Sequence, residues 1–160
     1  MDRAQFAAIT VRALGLTPQA VNVFSDVPST AWYAPYVGTA YTYGIVTGVG
    51  GGKFIPVYNT PNGPDENGYI SREQAATMVA RAAKLCGMDT TYSDAAARDV
   101  LAGFSDYTKV SSWALASVAF CYDQGILDSS ALSIQPGVYI KRCEIAQMLY
   151  NMLKKANLIA

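Results

Sequence analysis

Three kinds of side chain recur along this chain at matching spacings and are suited to holding a ligand. They are the arginines Arg3, Arg72 and Arg142, the aspartates Asp26 and Asp106, and the tryptophans Trp32 and Trp113. The planar fork of an arginine matches a carboxylate with two parallel hydrogen bonds, and an aspartate accepts hydrogen bonds from hydroxyl groups. A tryptophan offers a flat apolar face with a single N–H donor. Together these residue types favour the binding of a ligand over its chemical conversion.

The composition argues against catalysis and against a metal site. The chain contains no histidine, which removes the commonest general base and the commonest metal ligand. A glycosidase would need two carboxylates poised across a sugar bond, and the acidic residues show no such pairing motif. The acidic residues considered are Asp26, Glu66, Asp94, Asp106 and Glu144. We therefore predict that the chain is not an enzyme and that it carries no metal and no cofactor.

Charge and hydropathy exclude two further classes of partner. The twelve basic and twelve acidic residues cancel and form no Lys/Arg run, so the electrostatic footprint of a nucleic-acid binder is missing. No apolar stretch reaches the roughly 18 residues of a membrane span, and the opening MDRAQF has neither the apolar core nor the cleavage site of a signal peptide. Because Met1 directly precedes what reads as the inside of a helix, we expect the chain to be a piece of a longer, secreted protein.

The three cysteines favour neither a disulfide framework nor a zinc site. Cys86, Cys121 and Cys143 are odd in number and show no C-x-x-C spacing. We expect them to be buried free thiols, which behave as small apolar side chains.

The organising feature of the sequence is an internal repeat, which indicates an architecture of stacked or shared units. FSDVPSTAWYAPYVGTAYTYGIVTG, starting at Phe24, returns in looser form as FSDYTKVSSWALASVAFCYDQGILD, starting at Phe104. A second half of the unit appears three times, beginning at Asp2, Ser71 and Lys141, so that the three arginines lie 69 and 70 residues apart. A lone helix pair cannot bury its apolar faces, so neighbouring repeats must supply a common core.

Each half of the repeat is predicted to be a helix. Apolar residues follow Trp32 at helical spacing until Gly44, where a left-handed C-terminal cap is favoured. The second halves carry the stripe Ile145, Met148, Leu149 and Met152 or an approximation of it, and Asp2 or Ser71 stands at a capping position. We predict a mainly all-α fold, with a further short helix in the segment from Asp89.

Glycine- and proline-containing stretches separate the halves and should be loops or short extended segments. One of them carries the extra segment VYNTPNGPDENGY, which is predicted to be a surface excursion. Its acidic residues lack the spacing of a calcium-binding EF-hand loop.

These motifs resemble the S-layer homology (SLH) domain family. The family unit is similar to F-x-D-V-P-x-x-x-W, a helix, G-I-x-x-G-x-x-x-x-F-x-P, I-T-R-A-E and a second helix. The second repeat carries Phe24, Asp26, Val27, Pro28, Trp32, Gly44, Ile45, Gly48, Phe54, Pro56, Ile70 and Arg72 of this pattern. The third keeps Phe104, Asp106, Trp113, Gly125, Ile126, Pro136, Ile140, Arg142 and Glu144. Arg3, Ala4, Arg12, Ala13, Gly15 and Leu16 are similar to the tail of a first unit whose front half is absent.

The resemblance implies a pseudo-threefold helical bundle in a single domain, residues 1–160. Residues 1–20 would be the second helix of repeat 1, residues 21–88 repeat 2, and residues 89–160 repeat 3. It also implies a non-catalytic role, in which the domain anchors a surface protein to secondary cell-wall polysaccharide on peptidoglycan. The domain would lie outside the cell and would not insert into the membrane. That polysaccharide often carries pyruvate ketals, whose carboxylates suit arginine.

The resemblance also implies ligand grooves between adjacent repeats. The first would be formed by Arg3, Asp26 and Trp32, with amides near Gly48 close to the ligand. The second would use Arg72, Asp106 and Trp113 in the same roles. Arg142 is the weakest candidate, because its groove would need the opening of repeat 1.

Each of these assignments has a structural alternative. The arginines could pair with aspartates and hold the repeats in register, the tryptophans could be core residues, the aspartates could cap a helix or turn, and Gly48 could serve a permissive turn. The chain also departs from the family pattern at Gln5, Gln74, Cys143, Tyr107-Thr108 and Asp128. The second groove is therefore a candidate for a degenerate, structural one. The alternative function is a protein-interaction or self-assembly module, with homo-oligomers formed through the incomplete first repeat.

Overall fold

The computed structural model describes residues 1–160 and is mainly helical, as the repeat pattern predicts. Six α-helices follow one another along the chain: α1 (Arg3–Ala13), α2 (Ala34–Thr42), α3 (Arg72–Leu85), α4 (Asp94–Leu101), α5 (Leu115–Asp123) and α6 (Arg142–Lys155). Two short strands, β1 (Asn59–Thr60) and β2 (Gly63–Pro64), pair antiparallel, and 3-10 turns cover Glu66–Gly68 and Tyr107–Lys109. None of the helices combines the length and the apolar character that crossing a membrane requires.

The chain divides into two compact units, Met1–Ile70 and Ser71–Ala160. In the N-terminal unit α1 packs against α2, and in the C-terminal unit α5 packs against both α3 and α4 while α6 packs against α3. The pseudo-threefold arrangement and the repeat boundaries 1–20, 21–88 and 89–160 stay predictions.

The N-terminal unit is built from a well-capped helix and a closely packed one. The Asp2 carboxylate accepts a hydrogen bond from the Gln5 amide at 2.8 Å, and the Gln5 side chain accepts one from the Asp2 amide at 3.2 Å. This reciprocal capping box fixes the start of α1. Gly38 in α2 is required by packing, since a Cβ there would lie 2.5 Å from the Gln19 carbonyl oxygen. Gly44 follows α2 with a φ of 71°, the left-handed cap that the sequence predicts.

In the C-terminal unit, caps and one buried carboxylate fix the helices. Ser71 and Gln74 form the capping box of α3, and the Glu144 side chain accepts a hydrogen bond from the Lys141 amide at 2.8 Å at the start of α6. Glu73, in the first turn of α3, is buried and accepts hydrogen bonds from both the amide (2.9 Å) and the hydroxyl (2.7 Å) of Ser111. These bonds tie α3 to the loop that precedes α5.

The cysteines correct one expectation. All three are free thiols, but only Cys121 is buried, while Cys86 is half-buried and Cys143 is exposed. Burial raises the pKa of Cys121. It also raises the pKa of Cys86, which is less buried. Cys143 is exposed because it lies nine residues before the buried Met152, which places it on the opposite side of α6.

The extra segment of the second repeat is an ordered surface excursion. It contains the β1–β2 pair, and the rings of Tyr58 and Tyr69 stack at its base with centroids 4.7 Å apart. The Asp65 amide donates to the Tyr58 carbonyl oxygen at 2.8 Å. Gly68 lies so close to the chain that a Cβ would come within 2.4 Å of the Val57 carbonyl oxygen. The excursion is therefore held in one conformation by contacts at its own base.

Candidate ligand-binding site

In the N-terminal unit, Arg3 and Asp26 hold one short loop segment. The Arg3 Nε donates to the Phe54 carbonyl oxygen at 2.7 Å, and its guanidinium carbon lies 4.8 Å from the centre of the Phe54 ring. The two carboxylate oxygens of Asp26 accept hydrogen bonds from the amides of Phe54 (2.9 Å) and Ile55 (2.8 Å). Arg3 is only 7% exposed. We call Arg3, Asp26 and the segment Phe54-Ile55 the first clasp.

The C-terminal unit repeats this arrangement with different loop residues. The Arg72 Nε donates to the Ile134 carbonyl oxygen at 2.9 Å, and Asp106 accepts from the amides of Ile134 (2.8 Å) and Gln135 (2.9 Å). Partial desolvation raises the pKa of Asp106, but the two amides outweigh it and hold the pKa below its ordinary value. We call Arg72, Asp106 and Ile134-Gln135 the second clasp. The equivalence of the two clasps is the strongest structural evidence for the sequence repeat.

Each clasp holds its loop in a backbone conformation that non-glycine residues rarely adopt. Ile55 and Gln135 both have a φ of 53°, in the left-handed region. This conformation is especially unfavourable for a branched residue such as Ile55, which it destabilises by about 1–2 kcal/mol. The aspartate bonds to two successive amides are suited to stabilising this kink, because charge-assisted hydrogen bonds are stronger than neutral ones. The aspartates therefore have a structural role, as one alternative predicted, although they cap a strained loop and not a helix.

The helix N-terminal amides near the arginines already have protein partners. The Ala4 amide donates to the Pro56 carbonyl oxygen at 2.8 Å. The equivalent amide of Glu73 donates to the Pro136 carbonyl oxygen at 3.0 Å. The Arg72 amide donates to the Val138 carbonyl oxygen at 2.9 Å. These bonds join the loop of each clasp to the helix that carries its arginine.

The two tryptophans contradict the alternative that places them in the core. Trp32 is 57% exposed and Trp113 is 58% exposed. Each precedes the first residue of its helix by two positions, α2 after Trp32 and α5 after Trp113. The rings of Trp32 and Tyr33 are nearly perpendicular, with centroids 5.5 Å apart. Large aromatic side chains that remain exposed at equivalent positions in both units are suited to contact a ligand.

A cavity of about 480 Å³ lies beside the first clasp, in the N-terminal unit. Its lining includes Asp26, Tyr33, Lys53 and Ile55, together with excursion residues that include Thr60, Pro61, Asn62 and Asp65. Burial raises the pKa of Tyr33, and the carboxylates of Asp26 and Asp2 raise it further. Sequence reasoning missed Tyr33 and Lys53 as groove residues. The signal available was the extra segment itself, which directly follows the clasp loop.

Besides the two tryptophans, the predicted site residues Gly48 and Arg142 lie outside both clasps. Gly48 is a packing glycine, because a Cβ would lie 2.6 Å from the Lys53 carbonyl oxygen and 2.7 Å from the Phe24 ring. Its φ is not in the left-handed region, so close approach and not turn geometry explains it. Arg142, the first residue of α6, is exposed, and its side chain has neither a hydrogen bond nor an ion pair.

Part of the chain matches a known protein family. Residues 23–56 match the family model of the S-layer homology domain, a segment that holds Asp26, Trp32, Gly48 and the loop of the first clasp. The family resemblance predicted from the sequence is therefore confirmed for this segment. S-layer homology domains are in general cell-wall anchoring modules.

Two curated relatives match almost the whole chain. The chain is 29% identical over 160 residues to the exoglucanase XynX of Acetivibrio thermocellus and 29% identical over 158 residues to an amylopullulanase of Thermoanaerobacterium thermosulfurigenes. Each alignment covers 98% of this chain but only 13% and 8% of the respective relative. The chain is thus similar to a small part of two much longer proteins.

Proposed function

We propose that this chain is a non-catalytic module that holds an extracellular protein on the bacterial cell wall. Its ligand is an anionic secondary cell-wall polysaccharide attached to peptidoglycan, and pyruvate ketals are the expected source of the negative charge. The observation that carries the proposal is the pair of exposed tryptophans, Trp32 and Trp113, each in a unit that also contains a clasp. The family match over residues 23–56 supports the anchoring role.

In the first groove the residues divide into those that shape it and those that contact the ligand. Arg3 and Asp26 act as positioning residues, because their side chains bond the loop backbone. The exposed face of Trp32 stacks on a sugar ring, where it removes apolar surface of both partners from water. Tyr33 and Lys53 line the neighbouring cavity and supply a hydroxyl and an ammonium group to the saccharide. Gly48 keeps the loop close enough to complete this wall.

The second groove is proposed to work in the same way with weaker binding. Trp113 is its sugar platform, while Arg72 and Asp106 position the loop. It has no counterpart of the excursion, so its saccharide contacts are fewer. Arg142 is a third, isolated cation that adds attraction for an anionic polymer over a distance of about one Debye length.

The relatives suggest what the module anchors. Because one relative is an exoglucanase and the other an amylopullulanase, we propose that the parent protein acts on polysaccharide at the cell surface.

A sedimentation assay with purified cell-wall sacculi tests the proposal. We expect the wild-type chain to sediment with sacculi that retain their secondary polysaccharide and to stay in solution with sacculi stripped of it. The double variant Trp32→Ala, Trp113→Ala should lose binding by at least about tenfold, as expected when aromatic hot spots are truncated. Tyr43→Ala is the matched control, because Tyr43 is also an exposed aromatic residue but lies at the end of α2. Equal retention of the double variant and the wild type would refute the tryptophan site.

The second candidate function is a self-assembly or protein-interaction module with degenerate glycan grooves. It is favoured by the burial of Arg3 and by the exposed apolar side chains of Leu132, Val138 and Tyr139 in the C-terminal unit. Light scattering distinguishes the two functions. A concentration-dependent dimer that does not bind sacculi would support assembly, whereas a monomer that binds sacculi would support anchoring.

A further inference from the structure

The excursion of the second repeat is an insertion whose two ends meet. A Cβ on Gly68 would lie 2.4 Å from the Val57 carbonyl oxygen, so the chain leaves and returns at nearly the same point. The third repeat has no such insertion, because only two residues separate Pro136 from Tyr139. The excursion is therefore an addition to the first groove that the second groove lacks.

The cavity beside the first clasp is lined by residues that differ between the two repeats. Tyr33 and Lys53 line it together with the excursion. The third repeat has Ala114 at the position of Tyr33 and Ser133 at the position of Lys53. The cavity volume of about 480 Å³ lies within the range of about 300–1,000 Å³ that is usual for small-molecule sites. This cavity thus belongs to the first groove and has the size of a ligand site.

The polar groups of the cavity suit the hydroxyl groups of a sugar. The side chains of Lys53 and Asn62 are exposed and make no hydrogen bond within the chain. The Asp65 Oδ1 accepts hydrogen bonds from the amide and the side chain of Asn67, both at 2.9 Å, which leaves the Asp65 Oδ2 to accept others. Tyr33 adds a half-buried hydroxyl, and proline side chains add apolar surface. A few polar groups on an apolar lining are typical of sites for small polar ligands.

The charges around the cavity disfavour an acidic sugar. Asp26 and Asp65 contribute two carboxylates, whereas Lys53 contributes the one ammonium group of the lining. Burial raises the pKa of Tyr33, and the carboxylates of Asp26 and Asp2 raise it further, so their negative field reaches this hydroxyl. A ligand carboxylate would meet net repulsion in the cavity, whereas a sugar hydroxyl would not.

The cavity lies next to the Trp32 platform. Tyr33 lines the cavity, and its ring centre is 5.5 Å from that of Trp32. We propose that the cavity is a second saccharide subsite, which takes a neutral sugar residue beside the sugar that stacks on Trp32, and that the excursion determines this preference. That the neutral sugar belongs to the wall polysaccharide rests on the proposed function, whereas the subsite itself does not.

Titration with free monosaccharides tests the subsite without any cell-wall material. The probes are the methyl glycosides of glucose, galactose and mannose, each paired with its uronic acid, which differs by one carboxylate. In ¹⁵N-labelled protein we expect at least one neutral sugar to move the Asn62 side-chain amide resonances with saturation. The paired uronate should bind more weakly by about threefold or more, as expected for an unpaired charge at a partly exposed site. Asp65→Asn removes one carboxylate and should reduce this difference.

Two asparagines of the excursion supply a matched pair of variants. Asn62→Ala should weaken binding of the neutral sugar by about fivefold or more, read at the Tyr33 amide resonance. Asn59→Ala is the control, because Asn59 is an exposed asparagine of the same excursion that does not line the cavity. Deletion of Tyr58–Asn67 joins Val57 to Gly68 and should abolish binding of the neutral sugar.

Four results would overturn the subsite: no saturable shift from any neutral sugar, uronates that bind as tightly as the neutral sugars, a difference unchanged in Asp65→Asn, or an equal loss in Asn59→Ala. The point variants decide between these outcomes even if the deletion variant does not fold. Wild-type protein that binds a neutral sugar but not sacculi would refute the anchoring function and leave the subsite standing. Wild-type protein that binds sacculi but none of these sugars would refute the subsite alone.

Discussion

Arg3 and Asp26 hold the same residue from its two backbone polar groups. Arg3 donates to the Phe54 carbonyl oxygen at 2.7 Å, and Asp26 accepts the Phe54 amide at 2.9 Å. Both residues were predicted to meet in one groove, and the structure joins them through this shared backbone partner. Their shared partner explains how residues far apart in the sequence define one loop and, with it, one wall of the candidate site.

Replacing Asp26 by asparagine should destabilise the protein. The asparagine side chain keeps the shape but offers only one acceptor oxygen, so one of the two amides of Phe54 and Ile55 loses its partner. We expect a loss of about 2 kcal/mol in the free energy of unfolding, the usual magnitude for a hydrogen bond to a charged group. Urea denaturation measures it. The control is Asp65→Asn, because Asp65 caps an exposed turn; an equal loss there would argue against the clasp.

Stability should fall in acid partly through Asp106. Its folded-state pKa is lower than its ordinary value, so its contribution is present at neutral pH and is lost as the pH falls through the depressed pKa, below about 4. Thermal unfolding between pH 7 and pH 2.5 should show this decline. Asp106→Asn should be less stable than the wild type at pH 7 and should approach it at the lowest pH. A constant difference across the range would contradict the assignment.

Relieving the strained backbone of the second clasp should stabilise the protein. Gln135 is exposed and has a φ of 53°, which glycine adopts without strain. Gln135→Gly should therefore increase the free energy of unfolding by about 0.5–1 kcal/mol, after the larger entropy of the unfolded glycine is subtracted. Ser133 lies two residues earlier, and its φ is not in the left-handed region. Ser133→Gly should therefore decrease the free energy of unfolding. Chemical denaturation of both variants measures these changes. A lower free energy of unfolding in both variants would show that the backbone at Gln135 is not strained.

Removing Trp32 should separate binding from folding. Its side chain is largely exposed, so Trp32→Ala should change the free energy of unfolding by less than about 1 kcal/mol. Affinity for sacculi should fall by about tenfold if the ring is a sugar platform. Sedimentation and urea denaturation of the same preparation report both quantities. A large loss of stability would instead assign Trp32 a packing role.

Arg3 should not behave like a simple ligand contact. Arg3→Lys keeps the positive charge but cannot reproduce the Nε bond to Phe54 or the flat contact with its ring. We expect loss of stability and loss of sacculus binding together, with stability reduced by about 1–3 kcal/mol. Binding that falls while the unfolding curve stays unchanged would show that the guanidinium contacts the glycan directly.

The sequence by itself determined the helices, their caps and the family resemblance. Asp2 with Gln5 and Ser71 with Gln74 are local signals, three residues apart, and the structure forms both capping boxes. Gly44 likewise marked the end of α2, because a left-handed cap depends on one residue. Helical periodicity and caps are read within a few residues, so a single sequence is sufficient for them.

Only the tertiary structure decided what the chemically interesting side chains contact. Arg3 meets a carbonyl 51 residues away and Arg72 meets one 62 residues away, and no local pattern specifies such partners. The same holds for the exposure of Trp32 and for the ion pair that Glu144 forms with Arg72. A hydrogen bond requires atoms to lie within about 3 Å, a condition that the packing of distant segments imposes and that residue type alone does not.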